Sequence, residues 1–424
     1  MRRSGDAWPA PRQALEAVIR PVLLGEKELR LPVGDACSAD AKAWHGKRIR
    51  HVMRTAHDNP VDSIADALIR SFDQSYWLAI DEKRAFPDAF FALAGELGVF
   101  GMLLPESSGG TALGPRAIAR LVLRLHEAGA DATSLSAQAL LPLIVLRGGP
   151  EVPLREALPR VATGAVRMMA VAATEPDSGL EVSKLATTAA SDGSTSNWVL
   201  RGSKIYISFA MQSDWLMVLA DANGAGPTLF AVPREGTKGL ELRPLAMIAN
   251  RHTTMVFLDD VSIPDAFRLG PVGKGLTQLA DGFSLRRIAA SAEAIGNAKF
   301  CLGRAAPYAI ERKVFGRPIG ANQGVQYPLA QAAVAIHAAE LALEDALVAF
   351  ETRDRANERS AMARLLAGSA AEVAVKAAFT TFGGMALAVE AHIERKLRES
   401  TVHSFDNLLL GLVAERVLHL PRGY

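Results

Sequence analysis

The spacing of hydrophobic positions changes twice along the chain. From about Val61 to Arg167 apolar residues recur three and four apart, as in SIADALIRSFDQSYWLAI and AFFALAGELGVFGMLL. That spacing predicts helices with one buried face. PRAIARLVLRLHEAG and SLSAQALLPLIVLRG continue the pattern, and ESSGGTALG reads as a loop from its Gly and Ser content. From about Met168 to Gly270 the runs become short: RMMAVAA, NWVLRG, KIYIS, WLMVLAD, PTLFAVPR and TTMVFLDDVSI. Gly, Pro, Asp and Asn punctuate them, which predicts an antiparallel β domain. The step Arg201-Gly202-Ser203 is expected to be a hairpin turn between NWVL and KIYIS. From about Leu276 onward long Ala-rich helical stretches return, the last starting near Ala388 and running towards His419 with room for an interruption. Small residues on their faces predict a closely packed four-helix bundle.

The expected fold is therefore α+β, in the order N-terminal helical domain (61–167), middle antiparallel β domain (168–275) and C-terminal helical bundle (276–424). Residues 1–60 are punctuated by Pro9, Pro11, Pro21, Pro32 and Pro60, and read as an extension that packs loosely or belongs to an interface.

Composition narrows the function classes. A chain of 424 residues exceeds what one hydrophobic core usually serves. Its 47 basic and 45 acidic residues nearly cancel, which argues against nucleic acid or a membrane surface as the main partner. Two cysteines, Cys37 and Cys301, make no disulfide framework and point to a reducing compartment. No uninterrupted apolar run approaches the ~20 residues that span a bilayer. No apolar stretch of signal-peptide type follows Arg2 and Arg3, so a cytoplasmic location is expected.

One stretch, VAATEPDSGLEVSKLATTA, starts like a buried strand and breaks at a polar turn carrying Thr174, Glu175, Pro176 and Gly179. Taken alone, Thr174 reads as a turn residue, Tyr206 as a strand aromatic and Arg312 as a solvated helix arginine. Gly383-Gly384 reads as a helix end. GPVGKGLTQL lacks phosphate-loop spacing and reads as the entry to the first bundle helix. His392 and His403 are too few ligands for a metal site. Glu394, Arg395, Lys396 and Arg398 are expected on a solvated or intersubunit charged face.

In combination these pieces resemble the acyl-CoA dehydrogenases. FPDAFFALAGELGVFGMLLPESSGG, TEPDSGL, WVLRGSKIYIS, TTMVFLDDVSIP and YAIERKVFGRPIGANQGVQYPLA are similar to family signatures and occur in the family's order, over roughly residues 62–424. The resemblance implies FAD as cofactor. It places Val171, Ala173 and Thr174 along the isoalloxazine ring, with Tyr206 and Ser208 near its N5. Turn N–H groups and a hydroxyl suit the ring's carbonyl oxygens. It places Arg312, Phe315 and Gln323 on the pyrophosphate and adenine from a neighbouring subunit, and Gly383 and Gly384 where backbone nears the FAD chain; Gln326 is a weaker member of that group. A guanidinium fork suits a diphosphate. Leu180-Glu181 stands where many members have Ser-Asp, which removes a hydroxyl near the pyrophosphate.

The family's reaction removes an α-proton with a carboxylate and passes hydride from Cβ to the flavin, the thioester carbonyl being polarised in an oxyanion-hole arrangement. Its glutamate base stands at one of two places. One corresponds to Asn407 in HSFDNLLLG, followed here by Leu408 and Leu409 rather than Gly-Thr. The other corresponds to Arg286 in FSLRRIAAS, next to Arg287, which matches the family arginine and is a candidate for substrate binding. Neither an amide nor a guanidinium takes a proton at neutral pH. Asp406 lies one residue before the first place and is the candidate base; as a helix N-cap it would have a purely structural role. The resemblance leaves three readings open. The first is an acyl-CoA dehydrogenase passing electrons to an electron-transfer flavoprotein, as a homo-oligomer. The second is a non-catalytic partner subunit of a mixed assembly, and the third a flavin oxygenase on the same scaffold.

Overall fold

Three units follow one another along the chain, and each forms for its own reason. The computed structural model describes residues 60–149, 153–177, 184–193, 195–402 and 407–421. Nearly all of the expected extension 1–60, together with Gly179, Leu180, Glu181, His403 and Asp406, lies outside the described residues.

The first unit holds helices α1 (Pro60–Ser71), α2 (Gln74–Lys83), α3 (Asp88–Glu96), α4 (Pro115–Glu127), α5 (Thr133–Leu140), α6 (Pro142–Arg147) and α7 (Leu158–Ala162). Asp73 starts α2 by accepting the N–H groups of Ser75 and Tyr76, which satisfies donors that a first turn leaves unpaired. α4 presents Ala117, Ile118, Leu121, Val122 and Leu125 inward on one stripe. Phe72, Tyr76, Trp77 and Phe90 meet edge-to-face or tilted and close the unit's core.

Among the described residues the second unit is one sheet of eight strands. They are β1 (Ala170–Ala172), β2 (Thr188–Asp192), β3 (Asn197–Ser208), β4 (Trp215–Ala222), β5 (Pro227–Pro233), β6 (Leu240–Pro244), β7 (Thr253–Pro264) and β8 (Arg268–Leu269). The order across the sheet is β6-β7-β3-β2-β4-β5-β8, with β1 also paired to β4. β4 is central, and Leu216 to Ala220 are fully buried. The sheet is antiparallel except along β4, where β1 and β2 both run parallel to it. β1 takes the Leu216–Val218 end and β2 the Asp221–Ala222 end. Ala173 to Asp177 therefore lead out of β1, and Lys184 to Thr187 lead back to the same edge of β4. The expected hairpin at Arg201-Gly202-Ser203 does not form. β3 runs straight through it, paired to β7, with a register shift between Leu200 and Gly202. Gly202 has φ 144°, and a Cβ there would meet Thr187 at 2.6 Å. The glycine therefore marks a bulge, not a turn.

The third unit contains α8 (Gly275–Glu311), a short hairpin of β9 (Lys313–Val314) and β10 (Arg317–Pro318), then α9 (Gln323–Thr352), α10 (Ala356–Phe382), α11 (Ile393–Thr401) and α12 (Asn407–Arg416). Within the expected fourth helical stretch, which leaves room for an interruption, α11 and α12 are the described helices. α8 begins at Gly275, as GPVGKGLTQL suggests. Along α10 the buried positions are mostly alanine, including Ala363, Ala367, Ala370, Ala371, Ala374 and Ala378, so α8 and α9 approach its backbone closely. The segment Ala356–Leu387 is long and apolar enough to cross a membrane by length and composition alone, with half of its apolar window buried inside the molecule.

α8 also packs on α4 at Gly296, where a Cβ would lie 2.6 Å from the Leu123 carbonyl oxygen and 2.5 Å from the His126 Cβ. Gly303, on the same helix, has open space. Gly296→Ala is predicted to lower stability by about 1–3 kcal/mol through overpacking. Gly303→Ala should hold or gain up to about 1 kcal/mol from helix propensity. Urea midpoints check the pair, and equal midpoints would contradict this packing.

Candidate functional site

The excursion between β1 and β2 is held by a buried ion pair. Lys204 of β3 is fully buried and donates to Glu175 Oε1 at 2.7 Å and to the Ala173 carbonyl at 3.3 Å. Glu175 also accepts the N–H groups of Ala186 at 2.7 Å and Thr187 at 3.0 Å. Both ends of the excursion therefore converge on one carboxylate. Burial pushes the Glu175 pKa up, but the hydrogen bonds from Lys204, Thr187 and Ala186 outweigh it and hold the carboxyl below its usual 4.5. Ile205 N–H donates to the Thr174 carbonyl at 3.0 Å and fastens the turn to β3 one residue beyond the lysine.

At that point β3 carries its second bulge, between Lys204 and Ile207. Tyr206 has φ 60° and is 58% exposed. Bulky side chains rarely occupy that backbone region unless the surroundings enforce it. The bulge turns the phenol out of the sheet while Ile207 returns to the core. Val171, Ala173, Thr174, Tyr206 and Ser208 thus share one neighbourhood, Thr174 and Ser208 being half-buried.

Arg312, Phe315, Gln323, Gly383 and Gly384 are all exposed and lie in the bundle. Phe315-Gly316 forms the two-residue turn of the β9–β10 hairpin, both at positive φ (52° and 80°). Such turns favour Asn-Gly; here the first position displays a fully exposed phenyl ring. Tyr308 of α8 stacks on Phe382 of α10 at 4.3 Å and 14°. That stack brings the α8 end, which precedes Arg312, beside the α10 end, where Gly383 stands. Gly383 has φ 57° and ψ −133°, a conformation essentially restricted to glycine. A Cβ at Gly383 or Gly384 would meet nothing within 4 Å, so packing within the chain does not require these glycines to be small. Gln326 is exposed on the first turn of α9. These features suit FAD: a polar turn and displayed ring on one side, and an exposed guanidinium with bare backbone on the other.

At the two places that the resemblance gives for a base, Arg286 donates to the buried Glu293 at 2.8 Å, and Asn407 begins α12. Ser136 also donates to Glu293, at 2.9 Å. Arg287 is held on Asn357 at the start of α10. The expected charged face on α11 forms only in part. Arg395 and Lys396 are buried, paired with Glu399 at 2.6 and 2.7 Å. They also donate to the carbonyls of Gly129 and Ala130, just beyond the C-terminus of α4. Carbonyls at a helix end attract cations, and that attraction draws these two inward. Burial, opposed by Glu399, brings the Lys396 ammonium down to about 8. Arg398 and Glu394 do stay near the surface, with Arg398 bridging Glu394 and Asp81. His392 is buried, and its imidazole is pushed down to about 4 by burial and by the nearby Arg395.

Glu175 and Lys204 hold the candidate turn, and neither is among the residues that the resemblance names. Their signal was present: with period two, Lys204 shares the buried face of β3 with Trp198 and Leu200, and a lysine there demands an acid.

Profiles of the acyl-CoA dehydrogenase N-terminal, middle and C-terminal domains match residues 61–165, 170–261 and 273–417. Acyl-CoA dehydrogenase FadE12 of Mycobacterium tuberculosis is 32% identical over 373 residues, covering 84% of this chain and 94% of that protein. Benzylmalonyl-CoA dehydrogenase of Aromatoleum aromaticum is 33% identical over 331 residues, covering 76% of this chain and 86% of that protein. Among solved structures, butyryl-CoA dehydrogenase of Megasphaera elsdenii has the same fold, with a TM-score of 0.78 at 22% identity, covering 91% of this chain and all of that one.

Lys204→Met leaves Glu175 buried and unpaired and is predicted to cost about 3–5 kcal/mol. Lys204→Met combined with Glu175→Leu should recover most of it, which urea unfolding checks. Because the folded pKa of Glu175 is lowered, its stabilising effect is present above pH 4.5 and drains away as pH falls through the folded value. Glu175→Gln should therefore flatten the acid limb of the stability–pH curve. An unchanged acid limb would contradict this role.

Proposed function

This chain belongs to the acyl-CoA dehydrogenase family, oxidoreductases that act on CH–CH bonds, and we propose that it binds FAD and oxidises the Cα–Cβ bond of an acyl-CoA thioester. The observation that carries this reading is the turn after β1, pinned by Glu175–Lys204 against the bulge that displays Tyr206.

Bound FAD would supply the two-electron oxidation by accepting hydride from Cβ. The chain's residues do the rest. Backbone and hydroxyl groups at Val171, Ala173, Thr174 and Ser208 orient the ring, and the Tyr206 ring keeps water from it. Arg312 offers a bidentate fork to a pyrophosphate, Phe315 a face for an adenine, and Gln323, Gly383 and Gly384 complete that seat. These residues serve the FAD of a second copy. α9 supports such pairing, since Tyr327, Val334, Leu341 and Val348 recur every seven residues as exposed apolar side chains. A repeat of that period is the seam of a helix–helix contact. Asp406 is the proposed base for the α-proton, with Arg287 proposed to assist in substrate binding and an electron-transfer flavoprotein as acceptor.

A second reading is favoured by one observation. The helical base position is Arg286, neutralised by Glu293 at 2.8 Å, and the loop position is Asn407. A non-catalytic subunit that completes FAD sites for a related partner would carry such residues.

Two measurements test the FAD site and then separate these readings. Arg312→Ala should lose most of its flavin absorbance on purification while keeping its fold by circular dichroism; full retention would remove Arg312 from the site. Wild-type protein mixed anaerobically with acyl-CoA should bleach, and Asp406→Asn should slow the bleaching at least about a hundredfold, the usual weight of a general base. Unchanged bleaching in the variant excludes Asp406, and a wild type that holds FAD but never bleaches favours the partner-subunit reading.

A further inference from the structure

We propose that a narrow cavity between α2, α5, the start of β7 and α11 is a subsite for a neutral, hydrogen-bond-accepting oxygen on the tail of the acyl substrate. The inference rests on the functional reading above and deepens it by naming a substrate class: acyl thioesters carrying a keto or ether oxygen away from the reacting carbons.

The cavity measures about 30 Å³. A water needs roughly 10–15 Å³ of such space, so the cavity admits one small group. Trp77 and Phe209 form its apolar side, and Ser134, His252 and Arg395 line it with polar atoms. Phe209 directly follows Ser208 in the chain. On the opposite side, Ser134 shares α5 with Ser136, whose hydroxyl reaches Glu293, the ion-pair partner of Arg286. The cavity is thus bounded by the residue next to the proposed ring site and by the helix packed on the family's base position.

Its hydrogen-bonding balance points to the occupant. Three carboxylates line it, Asp81, Asp131 and Glu399, and each is already matched. Asp131 is bound by Arg251 at 3.0 Å, Glu399 by Arg395 and Lys396, and Asp81 by Arg398 at 2.5 Å. What remains unpartnered is the Nε–H of Arg395, 2% exposed, and the hydroxyl of Ser134, 3% exposed. Arg395 Nε can only donate and the Ser134 hydroxyl can donate, so one acceptor oxygen satisfies both. Charge decides its kind. Arg251, Arg395, Lys396 and Arg398 face Asp81, Asp131, Glu399 and the Glu394 that shares Arg398. Cations and anions are equal in number, and a buried carboxylate would add one unmatched charge.

The test measures dissociation constants of purified, flavin-loaded protein by calorimetry. The ligands are hexanoyl-CoA and octanoyl-CoA, their counterparts bearing a keto group near the chain end, and their counterparts bearing a terminal carboxylate. One keto counterpart should bind about tenfold tighter than its parent, the weight of a hydrogen bond to a charged donor. That preference should fall to about twofold or less in Ser134→Ala and in Arg395→Gln; the serine variant serves if the arginine variant does not fold. Equal affinity for parent and keto chains in the wild type overturns the subsite and leaves the thioester reading standing. A preference for the carboxylate over the keto chain, or one that survives both variants, also overturns it. Failure of every thioester to bind overturns the subsite together with the functional reading.

Discussion

Lys204 is a cation on the buried face of a strand, and that fact constrains everything near it. A lysine cannot stay charged inside a sheet without an acid, and the acid it finds is Glu175 in the turn after β1. The same carboxylate takes the last two N–H groups of the chain before it enters β2. A single pair therefore sets where the excursion begins, where it ends and how it lies on β3. The bulge that exposes Tyr206 follows at once. The parallel pairing of β1 and β2 along one edge of β4 is what makes the excursion necessary, and the ion pair is what makes it definite.

The bundle presents the complementary half. Its helices pack through alanines, which brings backbones close and leaves larger apolar side chains, such as Leu341 on α9, facing outward. Phe315 stands fully exposed on a strained turn, and Gly383 adopts a glycine-only conformation with open space where a Cβ would stand. These expensive local choices make physical sense if another surface and a nucleotide complete them.

Much of the fold could be read from hydrophobic spacing. The three units and their order, and the entry to α8 at Gly275, follow from period and punctuation. Local turn chemistry was a poorer guide. Gly202 looked like a hairpin residue, but the bond-pairing demand of β7 carried β3 straight through it. The charged run on α11 looked solvated because a sequence does not show that the carbonyl end of α4 lies opposite. Of the proposed site, the residues carried by resemblance were visible as motifs. The clamp beneath them was visible only as an oddity, a lysine at an inward position of KIYIS, whose partner 29 residues earlier no periodicity reveals.

The central claim is a flavin seated on the clamped turn of one copy and held at its nucleotide end by another. Native mass spectrometry of the purified protein tests it most directly. The account predicts FAD in dimers or larger assemblies, one per chain, and monomers stripped of it. Monomers carrying a full complement of FAD, or assemblies that take up none when it is supplied, would contradict the account.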